Sequence, residues 1–175
     1  IVSLGLGSCI NVPVVDDDLP MLHAWLSEPH VRQWWGDPDK EVALIREGCE
    51  TGEVEGFIFH VAGKPAGYIQ SWVPAQYPDD EPWAKDMPAD VPGIDIFIGP
   101  AELTGRGVAS LAVRAFAGRL FAAGAPRVVI DPDAGNRRAV SAYTKAGFVP
   151  YAEWIDTSGR TLLMELTRTE FERTT

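Results

Sequence analysis

The run Leu103-Thr104-Gly105-Arg106-Gly107-Val108-Ala109 sets two glycines between an apolar, strand-like stretch, Gly93 to Gly99, and a long apolar helical stretch. Few chain paths accommodate that sequence of features. Glycine tolerates the left-handed backbone of a sharp strand-to-helix turn, and its missing side chain lets an anion approach the main chain. The helix beyond the turn adds N–H groups without intrahelical partners and the positive end of its dipole. A diphosphate suits such a turn. A Gly-x-Gly before a helix also occurs in ordinary turns, so the segments around it decide.

Downstream lies an apolar strand, Arg127-Val128-Val129-Ile130-Asp131-Pro132, and then a helix marked at both ends, Asn136 to Phe148. Asn136 is a favoured N-cap, Gly147 suits the left-handed C-cap, and Lys145 sits where the negative end of the dipole welcomes a cation. Ala139, Tyr143 and Gly147 recur every four residues and share one face. Upstream, Ile10 to Val15 read as a first strand, and Asp16-Asp17-Asp18 offer N-caps for a helix carrying Leu22, Trp25 and Leu26. A second helix follows Asp37-Pro38. Phe57 to Ala62 and Ala66 to Val73 read as strands around a tight turn at Gly63-Lys64. Residues 74–92 hold five prolines and five acidic residues, which predicts a long irregular loop; Tyr77 and Trp83 in it point to a substrate-side lid rather than disorder. The chain closes with a hairpin, Phe148 to Ile155 and Arg160 to Thr167, around Thr157-Ser158-Gly159.

No repeat or linker divides the 175 residues, so one domain spanning 1–175 is expected, large enough for a core without disulfide or metal. Cys9 and Cys49 are not closely spaced and have no histidine at ligand spacing, which reads as buried free thiols in a reducing compartment, the cytoplasm. His23, His30 and His60 are scattered, so no metal site is expected. Arg114 and Arg119 interrupt the most apolar stretch, which excludes a membrane span there. Residues 1 to 9 lack the basic start and cleavage site of a signal peptide, and Ile1 in place of Met reads as a truncated or processed start. The formal charge of −10 argues against nucleic acid and is compatible with a cationic partner, although acidity also serves solubility alone.

Glycine turn, long helix, apolar strand, Asn-capped helix with a late Tyr, then Gly-Phe: this order resembles the acetyl-CoA-binding core of the GNAT superfamily of N-acetyltransferases. In that family the turn runs Gln or Arg, two residues, Gly, one residue, Gly or Ala. Here Thr104 stands in the place of the long polar side chain, which keeps the backbone contacts to a pyrophosphate and puts one side-chain contact in doubt. A narrower resemblance covers residues 21 to 174. Leu22-His23-Ala24-Trp25-Leu26, Trp34-Trp35-Gly36, Gly67-Tyr68-Ile69-Gln70-Ser71, Gly93-Ile94-Asp95, Ala142 to Phe148 and Phe171-Glu172-Arg173-Thr174 look like aminoglycoside 6'-N-acetyltransferases of the Ib type. The resemblance implies an α/β fold with a central mixed, mostly antiparallel sheet flanked by helices and splayed around acetyl-CoA, acting on aminoglycoside antibiotics. Monomer and dimer both stay open from the sequence, with the monomer slightly favoured. The resemblance also implies cofactor contacts from Ile96, Phe97, Ile98, Thr104, Gly105, Arg106, Gly107, Val108, Ala109, Asn136 and Ala139.

Acetyl transfer to an amine needs a neutral amine and a proton for the departing thiolate. Asp95 is the candidate base, because a carboxylate inside an apolar strand is costly unless it serves a cationic guest, a bulge or a neighbouring arginine. Tyr143 is the candidate proton donor, by proton transfer or by hydrogen bonding alone. By the same resemblance Asp131 is a second carboxylate for drug amines, in a sequence, Asp-Pro, that also forms turns. Gln70, Trp34 and Trp35 are candidate substrate walls, with a core role open for the tryptophans. Asp79 and Asp80, with Glu81, are placed at the mouth, and Arg137 and Arg138 either reach cofactor phosphates or are solvated. No residue shows nucleophile activation, so direct transfer is expected. Acetylation of a lysine or polyamine, and a non-catalytic sensor of acetyl-CoA or drug, remain the rival readings.

Overall fold

A computed structural model describes residues 8–175; the readings of the first seven residues, on a leader and on the chain start, lie outside the described residues. Seven strands form one sheet in the order β1 (Cys9–Pro13), β2 (Glu55–Val61), β3 (Lys64–Trp72), β4 (Gly93–Ile98), β5 (Arg127–Ile130), β7 (Gly159–Thr167), β6 (Val149–Asp156). The sheet is mixed: β1/β2, β5/β7 and β6/β7 pair antiparallel, while β4 and β5 pair parallel at Gly93 and Val129. Six helices accompany it among the described residues: α1 (Leu19–Ser27), α2 (Pro29–Trp35), α3 (Pro38–Thr51), α4 (Val108–Ala122), α5 (Arg137–Ala146) and α6 (Arg168–Arg173). No helix among the described residues is long and apolar enough to cross a membrane.

The chain divides into two compact units. The first runs to Gln70 and includes Ile96–Ala112. Its core gathers Leu22, Leu26, Val31, Ile45, Ile58, Tyr68 and Phe97, with Trp25 and Trp35 packed against them. Each such side chain contributes about 1.5–3 kcal/mol through removal of apolar surface from water. Local signals set the helices: Asp37 accepts the Lys40 N–H at 3.0 Å ahead of Pro38, and α3 ends at left-handed Gly52. The β2–β3 turn is centred on Ala62 and Gly63, with φ of +52° and +76°, one residue earlier than expected. Two left-handed residues give the turn that matches the twist of a hairpin, and the pairing of the strands holds Ala62 in a conformation its own preference disfavours. Helix α2 was not anticipated; it is only seven residues long, too short to leave a periodic signature.

The second unit comprises Ser71–Asp95 and Val113–Thr175. Its core holds Val113, Phe116, Phe121, Val128, Val129, Phe148, Met164 and Leu166, all buried. Helix α5 forms as its caps dictate, with the Asn136 side chain accepting the Ala139 N–H at 3.2 Å and Gly147 left-handed at φ +107°. The 74–92 segment is less irregular than its composition implies. Prolines open two 3₁₀ turns, Pro74–Gln76 and Pro82–Ala84, because a fixed φ suits the first helical position. Cys9 and Cys49 are free and half-buried, rather than wholly enclosed.

Candidate active site

In the first unit, a 3₁₀ turn, Ala101–Leu103, leads into the glycine turn. The Thr104 hydroxyl donates to the Ala101 carbonyl at 2.7 Å and its N–H reaches the same oxygen at 3.2 Å. Thr104 thus fastens the entry to the turn. Gly105 and Gly107 adopt φ of +73° and +80°, and a methyl group added at either would meet nothing within 4 Å. The glycines answer a conformational need, and they border open space. Gly107 accepts a hydrogen bond from Leu111 N–H at 3.1 Å, so the N–H groups of Val108 and Ala109 stand ahead of the α4 ladder. A bare backbone, a helix start and room for an anion together fit a diphosphate such as that of acetyl-CoA. Ile96 and Phe97 bury their side chains, so what this part of β4 offers a cofactor is main chain. The Ile98 carbonyl accepts from His30 Nε2 at 2.8 Å.

Of the expected substrate walls in this unit, Trp35 meets Phe97 edge-on at 5.0 Å between ring centroids and Tyr68 at 6.3 Å. Gln70 accepts the Tyr68 hydroxyl at 2.6 Å. Trp35 therefore belongs to the aromatic core and Gln70 to its edge, whereas Trp34 is 42% exposed.

In the second unit, Asp95 from β4 and Asp131 just beyond β5 act electrostatically on Tyr143 from α5, and Glu81 from the 74–92 segment acts on Asp131. Burial first, and then the carboxylates of Asp95 and Glu81, push Asp131 well above the usual carboxylate range. Tyr143, 7% exposed, is raised by burial and then by Asp95 and Asp131. Glu81 is raised by burial, against the hydrogen bond that Trp83 donates, with Asp80 and Asp156 adding to the rise. Two carboxyl groups thus act on the buried phenol, and a third acts on one of them. The nearby cation Arg127 is paired with Glu165 at 2.6 Å, and its guanidinium lies 5.7 Å from the Tyr151 ring.

An aromatic wall continues from the acids. Trp83 Nε1 donates to Glu81 at 2.6 Å, the Trp83 ring meets Trp72 edge-on at 6.2 Å, and Trp72 meets Tyr77 at 5.8 Å. Asp79 and Asp80 are exposed, while Glu81 is partly buried. Sequence reasoning overlooked Trp72, although it follows Tyr68 and Gln70 at the period of two that marks one strand face. Asn136 and Ala139 open the helix that carries Tyr143. With the Asn136 oxygen engaged as cap, its amide nitrogen is the group it can offer a ligand. Arg137 and Arg138 are exposed.

Residues 14–155 match a family model described as an acetyltransferase (GNAT) domain. The chain is 31% identical to the aminoglycoside N(6')-acetyltransferase type 1 of Klebsiella pneumoniae, over 92% of this chain and 84% of that protein. Among solved structures, it is similar to AAC(6')-Ib in complex with parmomycin and acetyl-CoA, at a TM-score of 0.86 and 30% identity, covering 96% of this chain and 98% of the other. It is likewise similar to aminoglycoside acetyltransferase AAC(6')-Ib in complex with coenzyme A and kanamycin, at a TM-score of 0.84 and 31% identity over 95% and 99%.

Proposed function

The chain belongs to the GNAT acetyltransferases, and from that premise we propose that it transfers the acetyl group of acetyl-CoA to the 6'-amine of aminoglycoside antibiotics. The observation that carries this reading is the electrostatic linkage of acids to the buried Tyr143: Asp95 and Asp131 act on the phenol, and Glu81 acts on Asp131. Burying like charges together is unfavourable unless a cation joins them, and a polyamine drug brings several. The named activities of the relatives support the same substrate class.

Acetyl-CoA supplies an activated thioester. In the first unit the turn from Thr104 to Ala109, with Arg106 beside the glycines, holds its diphosphate, and the β4 backbone at Ile96, Phe97 and Ile98 holds its arm; in the second unit Asn136 and Ala139 each offer a further cofactor contact. Asp95 accepts a proton from the 6'-ammonium, leaving a neutral amine as nucleophile. Asp131 and Glu81 hold further ammonium groups of the drug, and Trp83 and Trp72 form the wall behind them. Asp79 and Asp80 lie at the solvent side of the 74–92 segment; in the first unit, Trp34 and Gln70 are further candidates for contact with the drug.

Tyr143 donates to the sulfur as the carbon–sulfur bond breaks. Its raised pKa keeps the phenol protonated, and makes it a weaker acid than the thiol it serves. Hydrogen bonding to the developing thiolate is therefore its main contribution, and full transfer is assisted when bound ammonium groups offset Asp95 and Asp131. Acetylation removes one positive charge from the drug, weakening its attraction to nucleic-acid phosphates. That change would confer resistance in the cytoplasm, where acetyl-CoA and drug meet.

The test is release of CoA thiol from acetyl-CoA with kanamycin A and with its 6'-hydroxy counterpart, for the protein and for Asp95→Ala. Release with the 6'-amine alone, largely lost in the variant, is the expected result. Release with lysine or spermidine but with neither drug would overturn the substrate assignment.

A further inference from the structure

Arg114 interrupts an otherwise apolar helix, α4, next to buried Val113 and one turn from Ala117. Its guanidinium fork accounts for the charge being there. Nη1 donates to the Ala146 carbonyl at 3.0 Å, while Nη2 reaches the Phe171 carbonyl at 3.2 Å and the hydroxyls of Thr174 and Thr175 at 2.8 and 3.1 Å. The guanidinium also lies 4.7 Å from the centroid of the Phe171 ring. Ala146 is the last residue of α5, and the left-handed cap turns the Gly147 and Phe148 N–H groups back to the Thr144 and Tyr143 carbonyls. The final carbonyl of the helix is thus met by an arginine, where the negative end of the dipole favours a cation.

The arrangement is reciprocal. Arg168, at the start of α6, donates to the Phe121 and Ala125 carbonyls at and beyond the end of α4, at 2.6 and 3.0 Å. Helices α4 and α6 therefore hold each other by exchanged arginines, and Arg114 ties α5 to both. Tyr143 lies three residues before Ala146, on the turn that this tie fixes.

We propose that Arg114 is a positioning residue for Tyr143: by gripping the C-terminal end of α5 and the 171–175 segment, it sets where the phenol stands relative to the reacting sulfur. The proposal rests on the reading that Tyr143 serves the departing thiolate. A small displacement of a catalytic group has a large effect on rate, so the consequence belongs to turnover rather than to binding.

The experiment is a double-mutant cycle in kcat, combining Arg114→Ala with Tyr143→Phe in the full chain, with folding and acetyl-CoA affinity measured for each variant. Arg114→Ala is expected to lower kcat about tenfold with both KM values within about twofold. Arg114→Lys should restore part of the loss, because an ammonium reaches the Ala146 carbonyl but does not span to Phe171 as the fork does. In the Tyr143→Phe background, Arg114→Ala should lower kcat by less than about twofold. Equal losses in both backgrounds would overturn the proposal while leaving Tyr143 in its role. Unchanged kcat in Tyr143→Phe alone would overturn the role of Tyr143 and this proposal with it. Should Arg114→Ala not fold, the same cycle run with Arg114→Lys decides.

Discussion

The Trp83 indole donates a 2.6 Å hydrogen bond to the Glu81 carboxylate two residues earlier in the chain. This contact holds Glu81 partly buried, within electrostatic reach of Asp131, while Asp79 and Asp80 face solvent. Removing the donor by Trp83→Phe, or the charge by Glu81→Gln, should raise the aminoglycoside KM about 10- to 10²-fold and leave kcat within about twofold, since a hydrogen bond to a charged group contributes about 1.5–3 kcal/mol. Initial-rate kinetics with kanamycin A decide it. A fall in kcat at constant KM would show that Glu81 acts in chemistry rather than in binding.

Asp95 and Asp131 should separate in the same assay. On the proposed roles Asp95→Asn removes the base, and kcat/KM for the 6'-amine should fall about 10²- to 10⁴-fold. Asp131→Asn removes a partner for the drug's ammonium groups, so its loss should lie mainly in KM. Indistinguishable losses in kcat would contradict this division.

The raised pKa of Asp131 has a definite sign in stability. The folded state binds this proton more tightly than the unfolded chain, so the contribution is complete below the ordinary Asp value, about 4, and is lost as pH rises towards the raised value. Asp131→Asn should therefore gain stability relative to the parent as pH increases from about 4. Thermal melting of both proteins across that range tests it, and a difference independent of pH would refute the shift.

Gly107→Ala should cost about 1–2 kcal/mol from its left-handed backbone alone, because no atom lies near the added methyl. Gly52→Ala, with φ +77° at the end of α3 and equally open surroundings, should cost about the same. Only the first should weaken acetyl-CoA binding, by about tenfold, if its turn grips the diphosphate. Calorimetric titration with acetyl-CoA distinguishes them, and equal affinities would remove the turn from the binding site.

Short-range chemistry was legible in the sequence. Asn136 and Gly147 bound α5 because a cap is a hydrogen bond between near neighbours, and Gly105 and Gly107 mark the turn because only glycine takes positive φ without strain. The strands beside them followed from alternation and apolar runs, and the family order of turn, helix, strand and helix was readable for the same reason. Tertiary structure decided the rest. Trp35 and its neighbour Trp34 are alike in sequence, yet the one packs on Phe97 and the other is exposed, because helix α2 turns only one of them inward. Glu81, rather than Asp79 or Asp80, faces the acidic site because the 3₁₀ turn at Pro82 and the Trp83 indole fix its direction. Residues 95 and 131 come within electrostatic reach of each other and of Tyr143 through the pairing of β4 with β5 and the packing that follows, a long-range choice that local spacing does not encode. Arg114 looked like a mere interruption of an apolar helix, until the fold brought the carbonyls of Ala146 and Phe171 to its two nitrogens.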